Sequence, residues 1–281
     1  MKNHTSAVLV GLVLSIYSFE TIADVTMGIF PRRPAAKTVK FFKPLAKKLS
    51  DELGEPVKIS VEKNFKKFWK GVKENKYDIV HYNQYHYLLS KKASGYKVFL
   101  VNEEFGSSKI KGALTTRIDS GIKSVADLKG KTILFGGGKK AMGSYIGPTW
   151  ILQQAGLKAG TDYTVKFSKN PPSAVIGVFN KAADAAGSGN VILKVGATKK
   201  NADVSQLNIL AESDEFIHLP WAAKADFPDD KLQKIIQIMS NLKTTDAAIL
   251  KSAKVTNFIP VTDSDFESVR KIVKQVTGEA L

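Results

Sequence analysis

Residues 136–145, Gly-Gly-Gly-Lys-Lys-Ala-Met-Gly-Ser-Tyr, hold the densest chemistry in this chain. They follow an apolar run, 132–135, that reads as a buried strand, and they precede a helical pattern over 146–154. A strand, a glycine-rich turn and a helix aim backbone N–H groups and the positive end of a helix dipole at one spot. Lys139 adds charge there, and Gly143, Ser144 and Tyr145 complete a candidate set of polar contacts. The chemistry this favours is the holding of an anion or a polar oxygen. Met142, in the same turn, either meets an apolar part of a ligand or packs beneath the helix.

Other candidates lie where strands are expected to end. Residues 81–87, His-Tyr-Asn-Gln-Tyr-His-Tyr, place three tyrosines and two histidines within seven positions, which is unusual for a plain turn. Tyr82, Asn83 and Tyr85 offer an aromatic wall with amide and phenol hydrogen bonds. Arg32 and Arg33 follow the first strand and could reach a charged ligand; with prolines on both sides, one of them is expected to face solvent. Asn170 and Ser173 either donate to a ligand or cap a helix. Ser188 and Asn190 sit in Gly187-Ser188-Gly189-Asn190, which reads as a strand end opening a helix, hence a second anion-type turn. The histidines lack nearby carboxylates, so no metal site is expected. No Gly-x-Ser-x-Gly elbow, nucleotide loop or His-Glu-x-x-His pattern occurs, and without cysteine no thiolate nucleophile exists. A binding protein is therefore expected rather than an enzyme, with no cofactor.

These side chains need a scaffold, and the hydrophobic pattern supplies one. Strands are expected at 24–30, 56–61 and 77–82, with helices at 35–53, 64–75 and 84–94 between and after them. Further strands are expected at 98–101 and 111–117. The β-α alternation then resumes: helix 146–155, strand 163–167, helix 172–181, strand 183–186, helix 189–194 and strand 207–210. Helices near 229–242, 244–253 and 263–276 close the chain. Ser124 with Asp127 three residues on reads as the capped start of a short helical turn. Strands alternating with helices predict an α/β fold with parallel, doubly wound sheets.

Bulk properties set the compartment. Residues 1–23 carry Lys2, an apolar stretch over 7–17 and the exit Thr21-Ile22-Ala23, the form of a secretory signal peptide with Asp24 as the mature start. The 281 residues include no cysteine, which removes disulfides and the attachment point of a lipoprotein lipid. In a bacterium the mature chain would be free in the periplasm, and a monomer is expected. The net charge of +16 is spread along nearly every expected helix. With an export signal this argues against nucleic acid and for a solvated basic surface, with some role in steering an anionic solute.

Several segments together resemble the periplasmic solute-binding proteins of ABC importers, in the phosphate/phosphite/phosphonate-binding branch. Residues 41–49 are similar to that family's Pro-Leu-containing helix, and Tyr77-Asp78-Ile79-Val80 to its third strand. Residues 124–132 are similar to its Asp-Leu-Lys-Gly-Lys-Thr signature, Pro148 to the proline ending its anion loop, Ala155-Gly156-Leu157 to its "aGl", and Ala183-Asp184-Ala185-Ala186 to its "vDaa". The resemblance implies a type II two-lobe binding protein, each lobe a doubly wound sheet, joined by a two-strand hinge. Lobe one would be 24–112 with 217–281, and lobe two 113–216, with crossovers near 112–115 and 213–219. Ligand would sit between the lobes, where hinge closure traps it. His218, at the second crossover, then joins the candidates.

The chain also departs from that family. Where phosphonate-binding members resemble Ser-Thr-Ser-Gly, this chain has Ala141-Met142-Gly143-Ser144, so three hydroxyl donors shrink to one. The expected function is capture of a phosphate- or phosphonate-like oxyanion, or a related small solute, for the membrane subunits of an ABC importer. Two alternatives stand beside it. One is a sensory binding protein that presents its ligand to a membrane receptor or histidine kinase. The other is a binder of an uncharged or cationic aromatic solute held by the tyrosines.

Overall fold

The computed structural model describes residues 24–281, so the expected signal peptide, 1–23, lies outside the described residues. From the N-terminal side come β1 (Val25–Ile29), α1 (Ala35–Leu53), β2 (Val57–Val61), α2 (Phe65–Lys73), β3 (Ile79–His81), α3 (Gln84–Ser94) and β4 (Lys97–Glu103). The middle of the chain forms β5 (Lys109–Arg117), β6 (Thr132–Gly136), α4 (Gly147–Gln154), β7 (Thr164–Ser168), α5 (Pro171–Phe179), β8 (Ala185–Gly189), α6 (Gly196–Asn201) and β9 (Leu207–Ile217). The chain then adds β10 (Pro220–Ala223), α7 (Asp229–Ser240), α8 (Leu242–Thr245), α9 (Ala247–Ala253), β11 (Asn257–Pro260) and α10 (Glu267–Thr277).

Two sheets result, with strand orders β11-β4-β10-β3-β1-β2 and β7-β6-β8-β5-β9. In the first, β1 runs parallel to β2 and β3, while β10 and β11 are antiparallel to their neighbours. In the second, β6, β7 and β8 are parallel and β5 is antiparallel to β8 and β9. The sheets are thus mixed rather than purely parallel. Two of the antiparallel members, β5 and β10, are the first strands made after the chain crosses from one sheet to the other.

Side-chain alternation covers both faces of each sheet, as a doubly wound fold requires. Met27, Ile79 and Trp221 point to a core shared with Phe42, Leu45 and Leu49 of α1 and with Ile235 and Met239 of α7. On the opposite face Val80 and Ala222 meet Phe68, Tyr77, Leu88, Val269 and Ile272. Gly28 lies on that second face because a Cβ there would fall 2.5 Å from the Tyr77 ring. In the second sheet Ile133 and Phe135 meet Leu152 of α4, and Ala186 meets Ala174 and Val178 of α5.

The sheets are joined at residues 104–108 and 218–219. The first connection makes its corner with Phe105 and Gly106, both at positive φ, closed by a Glu104–Ser107 bridge. Residues 112–115, where the sequence suggests a crossover, are inside β5, because pairing with β9 already starts at Lys109↔Ile217. Residues 187–189 belong to β8 and do not open a helix. No helix among the described residues is long and apolar enough to cross a membrane.

Candidate ligand-binding site

The turn after β6 is built around close backbone approach. A Cβ on Gly136 would lie 2.3 Å from Pro171 Cα, so only glycine lets β6 pass the start of α5. Gly137 takes φ +104° and donates its N–H to Ser168 O at 3.0 Å. Residues Met142–Ile146 then form one wide π-helical turn before α4. Ala141 O accepts from both Tyr145 N (2.9 Å) and Ile146 N (3.1 Å). Among the described residues the N–H groups of Met142, Gly143 and Ser144 have no acceptor, nor do those of Gly138, Lys139 and Lys140. The turn therefore presents backbone donors in the manner the glycine run suggests.

Its side chains do less. Ser144 Oγ donates to Gly136 O and is buried. Met142 is buried in the apolar cluster that includes Tyr82, Tyr85 and Leu88 of the first sheet's side. The Tyr145 ring packs on Phe135 (4.9 Å between centroids) and Phe167 (5.6 Å). Lys139 is exposed and makes no salt bridge. Asn170 Oδ1 accepts from Ser173 N (3.0 Å) and Ser173 Oγ (2.9 Å). Because Pro171 and Pro172 have no N–H and Ala174 N donates to Asn170 O, the first turn of α5 offers no free backbone donor. Ser188 is fully buried, with its hydroxyl unpartnered. Asn190 is pinned to Lys111, donating its N–H to the Lys111 carbonyl (3.0 Å) and accepting the Lys111 N–H at Oδ1 (3.3 Å).

The carboxyl edge of the first sheet is different: it is charged. Arg32 Nη2 donates to Glu104 Oε1 at 3.2 Å, and its guanidinium lies 5.3 Å from the Phe30 ring centroid. Asn102 Nδ2 donates to the same carboxylate (3.2 Å), and His218 Nε2 lies 3.4 Å from Oε2. Burial works against the charge on Glu104. Arg32, His218 and Asn102 outweigh it and hold the carboxyl well below the usual carboxylate range. Glu104 stands in the connection between the sheets, so this network ties the hinge to the end of β1. No feature of the local sequence marks Glu104, because its arginine partner lies 72 positions away.

Two histidines of the 81–87 segment are buried and neutral. His81 stacks on Trp221 (4.5 Å) and hydrogen-bonds Pro220 O through Nδ1 at 3.0 Å. A carbonyl only accepts, so Nδ1 carries the proton and the buried Nε2 is a bare acceptor with no donor. Burial, helped by Arg32, lowers this imidazole to about 3. His86 is lowered to about 3 by burial and by Lys140. Its Nδ1 meets Asn83 Oδ1 at 2.8 Å, and Asn83 Nδ2 crosses to Lys140 O at 3.1 Å. Asn83 thereby caps α3 and stitches the two cleft edges together. Tyr82 hydrogen-bonds Ser90 (2.6 Å) deep in the core, and Tyr85 donates to Glu279 (2.7 Å) near the C-terminus.

Of the fourteen positions singled out from sequence, the structure brings Asn83 and the 139–145 turn into contact, and groups Arg32 with His218 through Glu104. Asn170 and Ser173 pair with each other as a cap. Arg33, next to Arg32, makes no salt bridge among the described residues. Among the described residues no three His, Asp or Glu side chains gather as metal ligands.

The fold has clear relatives. A binding-protein component of an ABC phosphonate transporter from Pseudomonas aeruginosa is similar over 89% of this chain and 85% of its own, at 16% identity and TM-score 0.74. PhnD1 from Prochlorococcus marinus, solved in complex with methylphosphonate, is similar over 91% and 99%, at 17% identity and TM-score 0.77. A Xanthomonas citri protein solved bound to ATP covers 91% and 97%, at 13% identity and TM-score 0.77. The sequence profile described as "ABC transporter, phosphonate, periplasmic substrate-binding protein" matches residues 27–266. With that match over most of its length, and with two doubly wound sheets facing each other across a two-strand connection, the chain belongs to the periplasmic substrate-binding family of ABC phosphonate transporters.

Proposed function

We propose that this chain captures a phosphonate- or phosphate-like oxyanion between its two sheets and delivers it to the membrane subunits of an ABC importer. The observation that carries this reading is the set of unpaired N–H groups at Met142, Gly143 and Ser144, opposed by an arginine-bearing edge on the other sheet. Backbone donors at a helix start hold oxyanions without any hydroxyl, so the missing serines and threonine change the ligation and leave the ligand class in place. The family's hydroxyl-rich loop is replaced here by main chain plus the charge of the first sheet. The excess of lysine over acid adds long-range attraction for an anion.

In this reading the protein performs no chemistry on its ligand, is exported with residues 1–23 removed, and works as a monomer without a lipid anchor. Mass spectrometry of the secreted protein, beginning at Asp24, checks the processing. Thermal unfolding against phosphate, phosphite, methylphosphonate, methanesulfonate and an aromatic amine checks the ligand class. A solute present at a hundred times its dissociation constant adds about 2.7 kcal/mol. A shift with the phosphorus oxyanions is expected; a shift with the amine alone would sink the anion reading.

A further inference from the structure

The chain has four arginines, and three of them are paired: Arg32 with Glu104, Arg117 with Asp119, and Arg270 with Asp263 and Glu267. Arg33 is half-buried and meets no carboxylate. Its guanidinium instead lies 5.5 Å from the Phe41 ring centroid, a ring that also gathers Lys37 Nζ (5.7 Å) and Lys254 Nζ (5.5 Å). Neither lysine makes a salt bridge, and both are exposed. Of the four cationic groups Arg32, Arg33, Lys37 and Lys254, only Arg32 makes a salt bridge among the described residues, to Glu104. The helix that starts beside them, α1, has Pro34 at its N-cap, no side-chain cap and no acidic residue in its first turn. The location is the first strand-to-helix turn at the carboxyl edge of the first sheet, the edge at which open α/β sheets take ligands.

We infer that Arg33, flanked by Lys37 and Lys254 around Phe41, is the subsite that holds the negative charge of the bound oxyanion. The inference rests on the oxyanion reading above and assigns the charge recognition of that site to lobe one. Burial and the neighbouring Arg32 lower the Arg33 guanidinium to about 9, so it stays charged at neutral pH in a place that disfavours charge until an anion arrives. A guanidinium fork takes two oxygens of an oxyanion at once. A third oxygen would be left for the free N–H groups of 142–144 on the facing edge. This combination suits a tetrahedral group with two negative charges, a phosphonate or phosphate ester dianion. A sulfonate has the oxygens and only one charge; a carboxylate has two oxygens.

The test is calorimetry with methylphosphonate and inorganic phosphate at pH 8, on the wild-type protein and on Arg33→Gln, Arg33→Lys and Arg32→Gln. Arg33→Gln is expected to weaken both anions by at least about 30-fold, and Arg33→Lys less, since the charge remains without the fork. Without anion, Arg33→Gln is expected to melt at the wild-type temperature or above it, because an unpaired, half-buried charge is gone. Arg32→Gln is expected to melt lower, because Glu104 loses its partner. Affinity within threefold of wild type in Arg33→Gln, whatever its melting temperature, overturns the inference. If Arg33→Gln does not fold, Lys37→Ala combined with Lys254→Ala carries the test through exposed positions. A loss of roughly tenfold with a shallower salt dependence is then expected, and no loss overturns it. Failure of the wild-type protein to bind either anion is a different result: it removes the oxyanion reading itself, and the subsite with it.

Discussion

The two edges that face each other across the cleft are both strand–turn–helix junctions, yet they are made in opposite ways. The second sheet offers main chain: glycines, a wide π turn and N–H groups without acceptors, with its one hydroxyl, Ser144, turned inward. The first sheet offers side chains: half-buried Arg32 and Glu104 paired with each other, His81 and His86 buried among aromatic rings and hydrogen-bonded, and Arg33 without a carboxylate partner. Backbone donors at a turn are neutral and cheap to expose to water. Buried charges are stable only in company. The difference places structural fragility on the first edge and adaptability on the second.

The largest way to strain that contrast is Tyr82→Ala. Tyr82 is fully buried on the first edge, and removing its ring is expected to cost about 3–5 kcal/mol in urea unfolding. A loss below 1 kcal/mol would mean the first edge is as tolerant as the second. Acid comes next. His81 and His86 are held near 3 in the fold against an ordinary 6.5, so the unfolded chain binds more protons below that value. Their contribution is full above about pH 6.5 and is lost as pH falls toward 3, roughly 4 kcal/mol for the pair by pH 5. The second edge has no histidine, so the slope should flatten in a His86→Gln variant and not in a Ser144→Ala variant.

Arg32→Gln is expected to destabilise by about 2 kcal/mol, below the cost of breaking a wholly buried pair because both partners retain some exposure. Ser144→Ala is the smallest, about 1 kcal/mol for one internal hydrogen bond. Its effect on anion affinity should be slight, because the hydroxyl already donates to Gly136 O. If Ser144→Ala abolished binding while leaving the melting temperature unchanged, the second edge would be a side-chain site after all.

Sequence reading reached the second edge better than the first for a physical reason. A glycine run between an apolar strand and a helix is local, and so is the Ser124/Asp127 capping box, whose two reciprocal bonds both form. Gly187 and Gly189 misled in the other direction. Their role is to admit close neighbours, since a Cβ on Gly187 would fall 2.4 Å from the Phe135 ring and one on Gly189 2.9 Å from Ile110 Cδ1. The tyrosines of 82–87 were legible as aromatic and illegible in direction, because Ser90, Glu279 and Asp263, their hydroxyl partners, come from three places in the chain. Glu104 gave no signal at all. Its identity as the hub of the hinge network depends wholly on which strands become neighbours.

The apolar cluster that carries Met142 and Ile146 into the company of Tyr82, Tyr85 and Leu88 has a kinetic meaning. Separating the sheets exposes both side chains, at about 1.5–3 kcal/mol each. Those two terms alone would hold an open form to on the order of one molecule in a hundred or fewer, the form through which a solute enters. Capture is slowed and apparent affinity reduced by the same fraction. Met142 is thus expected to act as a latch on the cleft, and Met142→Ala to speed solute capture in stopped-flow binding.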